Sequence, residues 1–358
     1  MPCTSHIKNI QQRMRSAFLR FLSLLCLFIA NHAMALDLQR SSAQCVTPYA
    51  SALRPPAAAG KRLADSQIAE GQRDIAWAWL VSPTHRYPHK SLGSTEHAGA
   101  VHVQARLPDG RLQDLTYKLP LHRVFEDLVP RLVDLDGDGR DELVLVESDL
   151  LRGSSVVVLG LRSAQQLQGV PSAATAAGVA GIAGVAGITG VAHAAGVGKA
   201  VPMVLTELAR SPFTGSSFLW LNPLGFADFD GDGRTDVAAV ITPHIGGTLT
   251  LYHYRPPLLV PFAKAMDVSN HRMGAVEQQL GVVLPPVAPG QRASIVVPDM
   301  TRRALHWLQW SPRGEANQWS EMSDLMALPA KVERMLSTPD GACLYMADGS
   351  WWKLVLAH

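Results

Sequence analysis

Carboxylates recur at alternate positions in two nine-residue stretches, 134–142 and 228–236, both reading D-x-D-G-D-G-R-x-[DE]. Hard oxygen donors at this density suit Ca2+, which takes roughly six to eight oxygens and can be wrapped by a short loop. Positions 1, 3, 5 and 9 offer carboxylates: Asp134, Asp136, Asp138 and Glu142, then Asp228, Asp230, Asp232 and Asp236. Position 7 (Arg140, Arg234) offers a backbone carbonyl, and Gly139 and Gly233 permit the sharp bend. General acid–base work is the weaker reading of these acids. Packed at alternate residues they repel without a cation, whereas a glycosidase pair needs two carboxyls roughly 5–9.5 Å apart on distinct elements. The loops therefore read as structural calcium sites, whose metal contributes to folding.

The elements around the loops decide the fold. An EF-hand ends in a bidentate Glu at position 12 and enters a helix; here position 12 is Leu145 or Ala239. The segments that follow, 143–146 and 237–241, are short apolar runs rich in β-branched residues, which reads as buried strand. This loop–strand unit resembles the FG-GAP/VCBS repeat. The resemblance implies an all-β fold, a β-propeller of antiparallel blades of the integrin-α type with calcium in its loops. A faint third copy occupies Glu70 to Asp74 before a strand at 75–81, with Ser66 and Ile68 where two acids are missing. Weaker turns at Asp299 and Asp348 complete the series. Intervals of 68, 94, 71 and 49 residues fit about five blades, or six or seven if some lack the turn.

The longest interval contains an insertion, 172–200, made almost wholly of Ala, Gly and Val. Its glycine triplets lack the proline of collagen, so it reads as a low-complexity inserted loop. Other strand signals are the hairpin 101–107/111–117 around Pro108-Asp109-Gly110, the runs 154–161, 217–220, 248–254, 294–297 and 304–310, and the pair 343–346/351–356. Residues 321–335 are the best local helix candidate.

Residues 1–35 have the form of an export signal. Lys8, Arg13, Arg15 and Arg20 precede an apolar core at 21–30, and Ala33-Met34-Ala35 supplies a small-x-small cleavage site after Ala35. The core is too short to span a bilayer, which needs about 20 apolar residues. The mature domain, 36–358, is expected to be soluble, periplasmic or extracellular, with no transmembrane segment. Removing the four basic residues takes the formal charge from +2 to −2, so nucleic acid is no partner. Of four cysteines, Cys45 and Cys343 remain, one near each end of the mature chain, an even pair that reads as one disulfide in an oxidising compartment. A circular fold brings its ends together, and such a bridge would close it.

Catalytic motifs are scarce: there is no G-x-S-x-G, no H-E-x-x-H and no P-loop. His85 to His89 is a basic, aromatic stretch. His244 follows the second loop's strand, and His271 and Arg272 follow a later hairpin. In a propeller those loops share a face, where His244, His271 and Arg272 could form a ligand site. Each histidine capping its own turn is the plainer alternative. The main expectation is a non-catalytic binding or adhesion module for a protein or glycan, with Ca2+ as its only cofactor. The tryptophans Trp77, Trp79, Trp220, Trp307, Trp310 and Trp351 are stacking candidates that equally suit a core. The alternative is an extracytoplasmic enzyme cleaving a polysaccharide or phosphoester. It requires the two histidines and Arg272 to converge with a carboxylate. A structural envelope component, with 172–200 as its contact element, is a third reading.

Overall fold

The computed structural model describes residues 35–41, 61–163, 166, 202–286, 291–311, 319–322, 325–339 and 341–357. Cys45, the insertion 172–200 and all of the export signal but Ala35 lie outside the described residues. The chain order is β1 (Ala35–Ser41), β2 (Ile68–Glu70), β3 (Ile75–Thr84), β4 (His97–Arg106), β5 (Leu112–Lys118), β6 (Arg123–Phe125), β7 (Arg131–Val133) and β8 (Glu142–Asp149). Next come β9 (Gly153–Ser163), β10 (Met203–Arg210), β11 (Leu221–Ala227), β12 (Asp236–Ile241), β13 (Thr248–Arg255), β14 (Leu258–Met266) and β15 (Val282–Leu284). Last are β16 (Ser294–Pro298), β17 (Ala304–Trp310), β18 (Trp319–Glu321), β19 (Met326–Ala327), β20 (Val332–Thr338), β21 (Gly341–Met346) and β22 (Trp351–Ala357). Among the described residues no helix is long and apolar enough to cross a membrane.

Burial follows residue type strand by strand. β8 and β12, which leave the acidic loops, contain the continuous apolar runs 143–146 and 237–241 and are buried on both faces, apart from the last residue of β12. β5 alternates exposed and half-buried residues as an outer strand does. The main core joins Ile75, Leu80, Val101, Val103, Phe125, Leu143, Leu145, Val157, Leu159, Trp220 and Val237. A second core lies under β15–β17 and β20–β22, around Val282, Trp307, Met335 and Leu344.

The expected propeller of separate blades is not found. Among the described residues, strands pair into three open sheets of thirteen, five and four strands. Repeat spacing records how often a turn recurs; it does not say which strand edges meet. Here short strands bridge the intervals. β6 joins β4 to β8 through Ala98↔Phe125 and the register Arg123↔Asp149, and β10 joins β9 to β14 through the single parallel bridge Arg210↔Leu258. Pairing therefore runs continuously through the region that the spacing divided, and the blade count of five, six or seven has no counterpart. The helix candidate 321–335 is also overturned. Its described residues form the end of β18, β19, the start of β20 and the turns between them, and a register shift between Val332 and Arg334 lets β20 seat both Val332 and Met335 in the second core.

The chain ends do meet. β1 pairs with β22 over seven residues, from Ala35↔Ala357 to Ser41↔Trp351. Cys343, buried in β21, is disulfide-bonded. Its expected partner, Cys45, lies outside the described residues.

Strand direction sorts the connections into two ends. β8 and β12 each begin at an acidic loop, so their far ends, with the turn 150–152 and the loop 242–247, lie at the opposite end. β3 starts beside the first acidic loop, since the Asp74 carboxylate accepts from Asp141 N–H (2.8 Å). The connections 85–96 and 119–122 therefore also sit opposite the acids.

Candidate functional site

At the end away from the acidic loops, polar side chains collect beneath exposed apolar ones. Glu126, just past β6, is fully buried. Its Oε1 accepts from Ser91 Oγ (2.6 Å) and faces His89 Nδ1 (2.6 Å), and its Oε2 accepts from Ser148 Oγ (2.6 Å). A buried carboxylate needs such donors to offset its lost hydration. The carboxylate holds the His89 proton on Nδ1 and leaves Nε2 with its lone pair. This is the relation of a general base to the group that orients it.

Two further imidazoles lie close by. His244 Nε2 and His271 Nδ1 are 2.8 Å apart, and His271 Nε2 lies 2.9 Å from the Ala275 carbonyl. A carbonyl only accepts, so His271 carries its proton on Nε2. Its Nδ1 then accepts from His244 Nε2–H, and His244 is left with a free lone pair on Nδ1. Burial, and then the neighbouring His89, lower the His244 pKa to about 4 against the opposing field of Glu126. Burial and the field of His244 lower His271 to about 3. Both rings are neutral bases at neutral pH.

Aromatic residues tie the groups into one cluster. Trp220 donates its indole N–H to the Glu126 carbonyl (3.0 Å), stacks on His244 at 5.8 Å and meets His271 edge-on at 4.8 Å. Phe218 is exposed and packs against Tyr87 and His89 at 5.3 and 5.4 Å. Below lies a plug of buried amides, Asn222, Asn270 and Gln278, bonded to one another and to backbone. Of the three residues named for a ligand face, the structure unites His244 with His271, and a carboxylate stands beside them. Arg272 turns outward, half exposed, to Glu333 (2.9 Å). Sequence reasoning missed Glu126, Ser91 and Ser148. No motif surrounds them, and only the fold brings residues 89, 126, 148, 244 and 271 together.

The acidic loops form the other candidate. In each, the position-1 carboxylate accepts from two glycine N–H groups: Asp134 from Gly137 and Gly139 (2.8 and 3.0 Å), Asp228 from Gly231 and Gly233 (2.7 and 2.9 Å). These glycines have φ of +77° to +83°, where a side chain would be strained. The position-9 carboxylates bond back to Leu135 and Phe229 N–H. Remaining oxygens face one another: one ligand atom each from Asp134, Asp136 and Glu142, and from Asp228, Asp230 and Asp236, lie within 4.8 Å. Burial, then Asp136 and Asp138, push the Glu142 pKa up to about 7. Burial and Asp230 also raise Asp236, with His253 opposing. These donor sets suit a divalent cation, which would relieve the crowding of charge. The faint third copy serves the first loop: Asp74 holds Arg140 and Asp141, while Arg73 bonds Asp141 (2.8 Å) and lies 3.7 Å from Asp134.

No family model matches the chain, and no curated protein matches it in sequence. The likeness to FG-GAP/VCBS repeats is therefore not sustained, as the open sheets had already indicated. Among solved structures the chain is similar to a crystal structure of rhamnogalacturonan lyase YesW at 1.40 Å resolution. The identity is 14% and the TM-score 0.33, over 80% of this chain and 56% of that one. This chain thus spans little more than half the lyase's length. The expectation of a non-catalytic adhesion module rested on that likeness and falls with it; of the convergence set for an enzyme, His244 and His271 meet and Arg272 does not join them.

Proposed function

We propose that the chain is an exported enzyme that cleaves a polysaccharide by general acid–base catalysis. The observation that carries this reading is the meeting of His89–Glu126 with His244–His271. Two imidazoles each hold one ring nitrogen on a fixed partner and keep the other free. One can take a proton from the substrate while the other, once protonated, gives one to the leaving oxygen. Polysaccharide is favoured over phosphoester by the surroundings. Phe218, exposed above Tyr87 and His89, is an aromatic face of the kind that packs on sugar rings. Of the guanidiniums on the same loops, Arg123 and Arg152 are engaged by Asp149 and Arg272 by Glu333, while Arg86 is turned into the protein with its Nε–H on the Arg123 carbonyl. In this reading Ca2+ at the two acidic loops is structural and braces the end opposite the site.

The test is to assay residues 36–358 on a panel of neutral and acidic polysaccharides. Reducing ends and the ultraviolet absorbance of unsaturated sugar ends report hydrolysis and elimination separately. Activity that falls in His89→Ala and His244→Ala, with unchanged thermal melts, supports the reading. Activity that survives both substitutions removes the cluster from catalysis.

A further inference from the structure

The two acidic loops share a sequence pattern but not a chemical environment. In the hairpin after each loop, one residue stands opposite the position-9 acid. The register Val237↔Tyr252 places His253 opposite Asp236. The register Leu143↔Leu159 places Gly160 opposite Glu142. The second loop therefore has an imidazole where the first has no side chain.

That imidazole is oriented. His253 Nδ1 lies 3.0 Å from Asp236 Oδ1, so the carboxylate holds its proton on that nitrogen. The ring stacks on Phe262 at 3.9 Å with an interplanar angle of 10°. The lone pair on Nε2 is left facing the loop, 3.7 Å from Asp230 Oδ2. Asp230, Asp232 and His253 each place a ligand atom within 4.8 Å of the others. A carboxylate that fixes a histidine whose other nitrogen meets the metal is a recurrent second layer of metal sites. Metal–ligand bonds of about 2.0–2.2 Å put neighbouring donors roughly 3.4 Å apart in a tetrahedral site, near the 3.7 Å between His253 Nε2 and Asp230 Oδ2.

The adjacent residue faces the other way. Tyr254, on the opposite side of β13, is 6% exposed and its hydroxyl has no hydrogen-bond partner among the described residues. That hydroxyl sits in the field of Glu142, Asp136 and Asp138 of the first loop. A buried, unpaired phenol is unfavourable, and a bound cation's water would relieve it. The first loop is thus supplied with oxygen alone.

Resting on the reading that the loops take divalent cations, we infer that the second is a nitrogen-ligated site for a first-row transition-metal ion. Asp230, Asp232 and His253 are its ligands, and Asp236 is the positioning residue. The first loop remains an all-oxygen site of the calcium type. Imidazole suits Zn2+ and its neighbours, whereas Ca2+ takes oxygen. The Arg255 guanidinium, 3.4 Å from Asp232, is the resident cation that the metal displaces.

The experiment loads the metal-free mature protein with Mn2+ and records pulsed electron paramagnetic resonance, which detects 14N coupling from a bound imidazole. Zn2+ titrations in excess Ca2+ run beside it on wild type and His253→Gln. The expected result is 14N coupling on one of two bound Mn2+ ions. One Zn2+ should bind despite Ca2+, weakened about 10- to 100-fold in the variant. Two bound Mn2+ ions with no nitrogen coupling overturn the inference and leave the loops as cation sites. No Mn2+ binding at either loop overturns both readings. The wild-type spectrum decides even if the variant fails to fold.

Discussion

Substituting Glu142→Gln is expected to move stability in opposite directions with and without calcium. Without a cation, burial and the nearby Asp136 and Asp138 hold the Glu142 pKa near 7, above its ordinary value of 4.5. A carboxyl whose folded pKa is raised keeps its proton in the folded state while the unfolded chain has lost it. Stability is therefore full below about pH 4.5, falls as pH rises through about 7, and stays low above that. The whole shift corresponds to roughly 3 kcal/mol, and screening by water around the exposed loop leaves about 1–2 kcal/mol. Glutamine cannot ionise and keeps a carbonyl for Leu135 N–H, so in EDTA near pH 8 the variant should melt higher than wild type. With calcium the sign reverses. At about 10 mM Ca2+ and a dissociation constant of about 10⁻⁴–10⁻³ M, the ion contributes roughly 1.4–2.7 kcal/mol, most of which glutamine forfeits. At about 2 °C per kcal/mol for a chain of this size, each arm reads as a few degrees. Calorimetric melts of both proteins in EDTA and in calcium decide it. An equal fall in both conditions would show that Glu142 serves only as the Leu135 acceptor.

Acid should destabilise the fold through the paired imidazoles. His244 and His271 have folded pKa values of about 4 and 3, below the ordinary 6.5. The unfolded chain binds protons first, and stability drops as pH falls below about 6.5, by about 1–2 kcal/mol per ring near pH 5. Melts of His271→Gln across this range should show a shallower slope. Glu126→Gln should lower turnover by about 10²-fold or more, since His89 loses the charge that orients it, with KM much less affected; a change confined to KM would count against an orienting role. Gly153→Ala should destabilise strongly, as its Cβ would come within 2.4 Å of both Thr214 Oγ1 and the Ser216 carbonyl at a φ of +79°. Chemical denaturation should place the cost at about 2 kcal/mol or more.

The strands were legible in the sequence wherever one pattern decided them. The runs after both acidic loops became β8 and β12, and the hairpin around Asp109-Gly110 became β4 and β5, because periodicity and turn chemistry are local. Sheet organisation was not legible. The three residues of β6 and the single bridge at Arg210 carry no pattern of their own, yet they merge the expected blades into one sheet. The same division holds at the site. His244 and His271 could be singled out because each follows a strand on its own loop. Glu126 looks like an ordinary acid beside Asp127, and its meaning comes from Ser91, Ser148 and His89, which lie 22 to 37 residues away. His253 falls between these cases, since pairing the hairpin back from Asp236 would have placed it.

The pairing of β1 with β22 sets an order of events for a chain made from its N-terminus. The first described strand cannot find its neighbour until the last has been synthesised, more than 300 residues later. Closing so long a loop is entropically unfavourable and slow compared with forming the local hairpins of β3–β4 or β12–β13. Throughout that interval β1 presents an unpaired edge, a template for intermolecular pairing. A ribosome that stalls short of Trp351 leaves β1 and β21 both without β22. The four-stranded terminal sheet thus acts as a check on length, and truncated chains should be recognisable to proteases by their two orphaned edges.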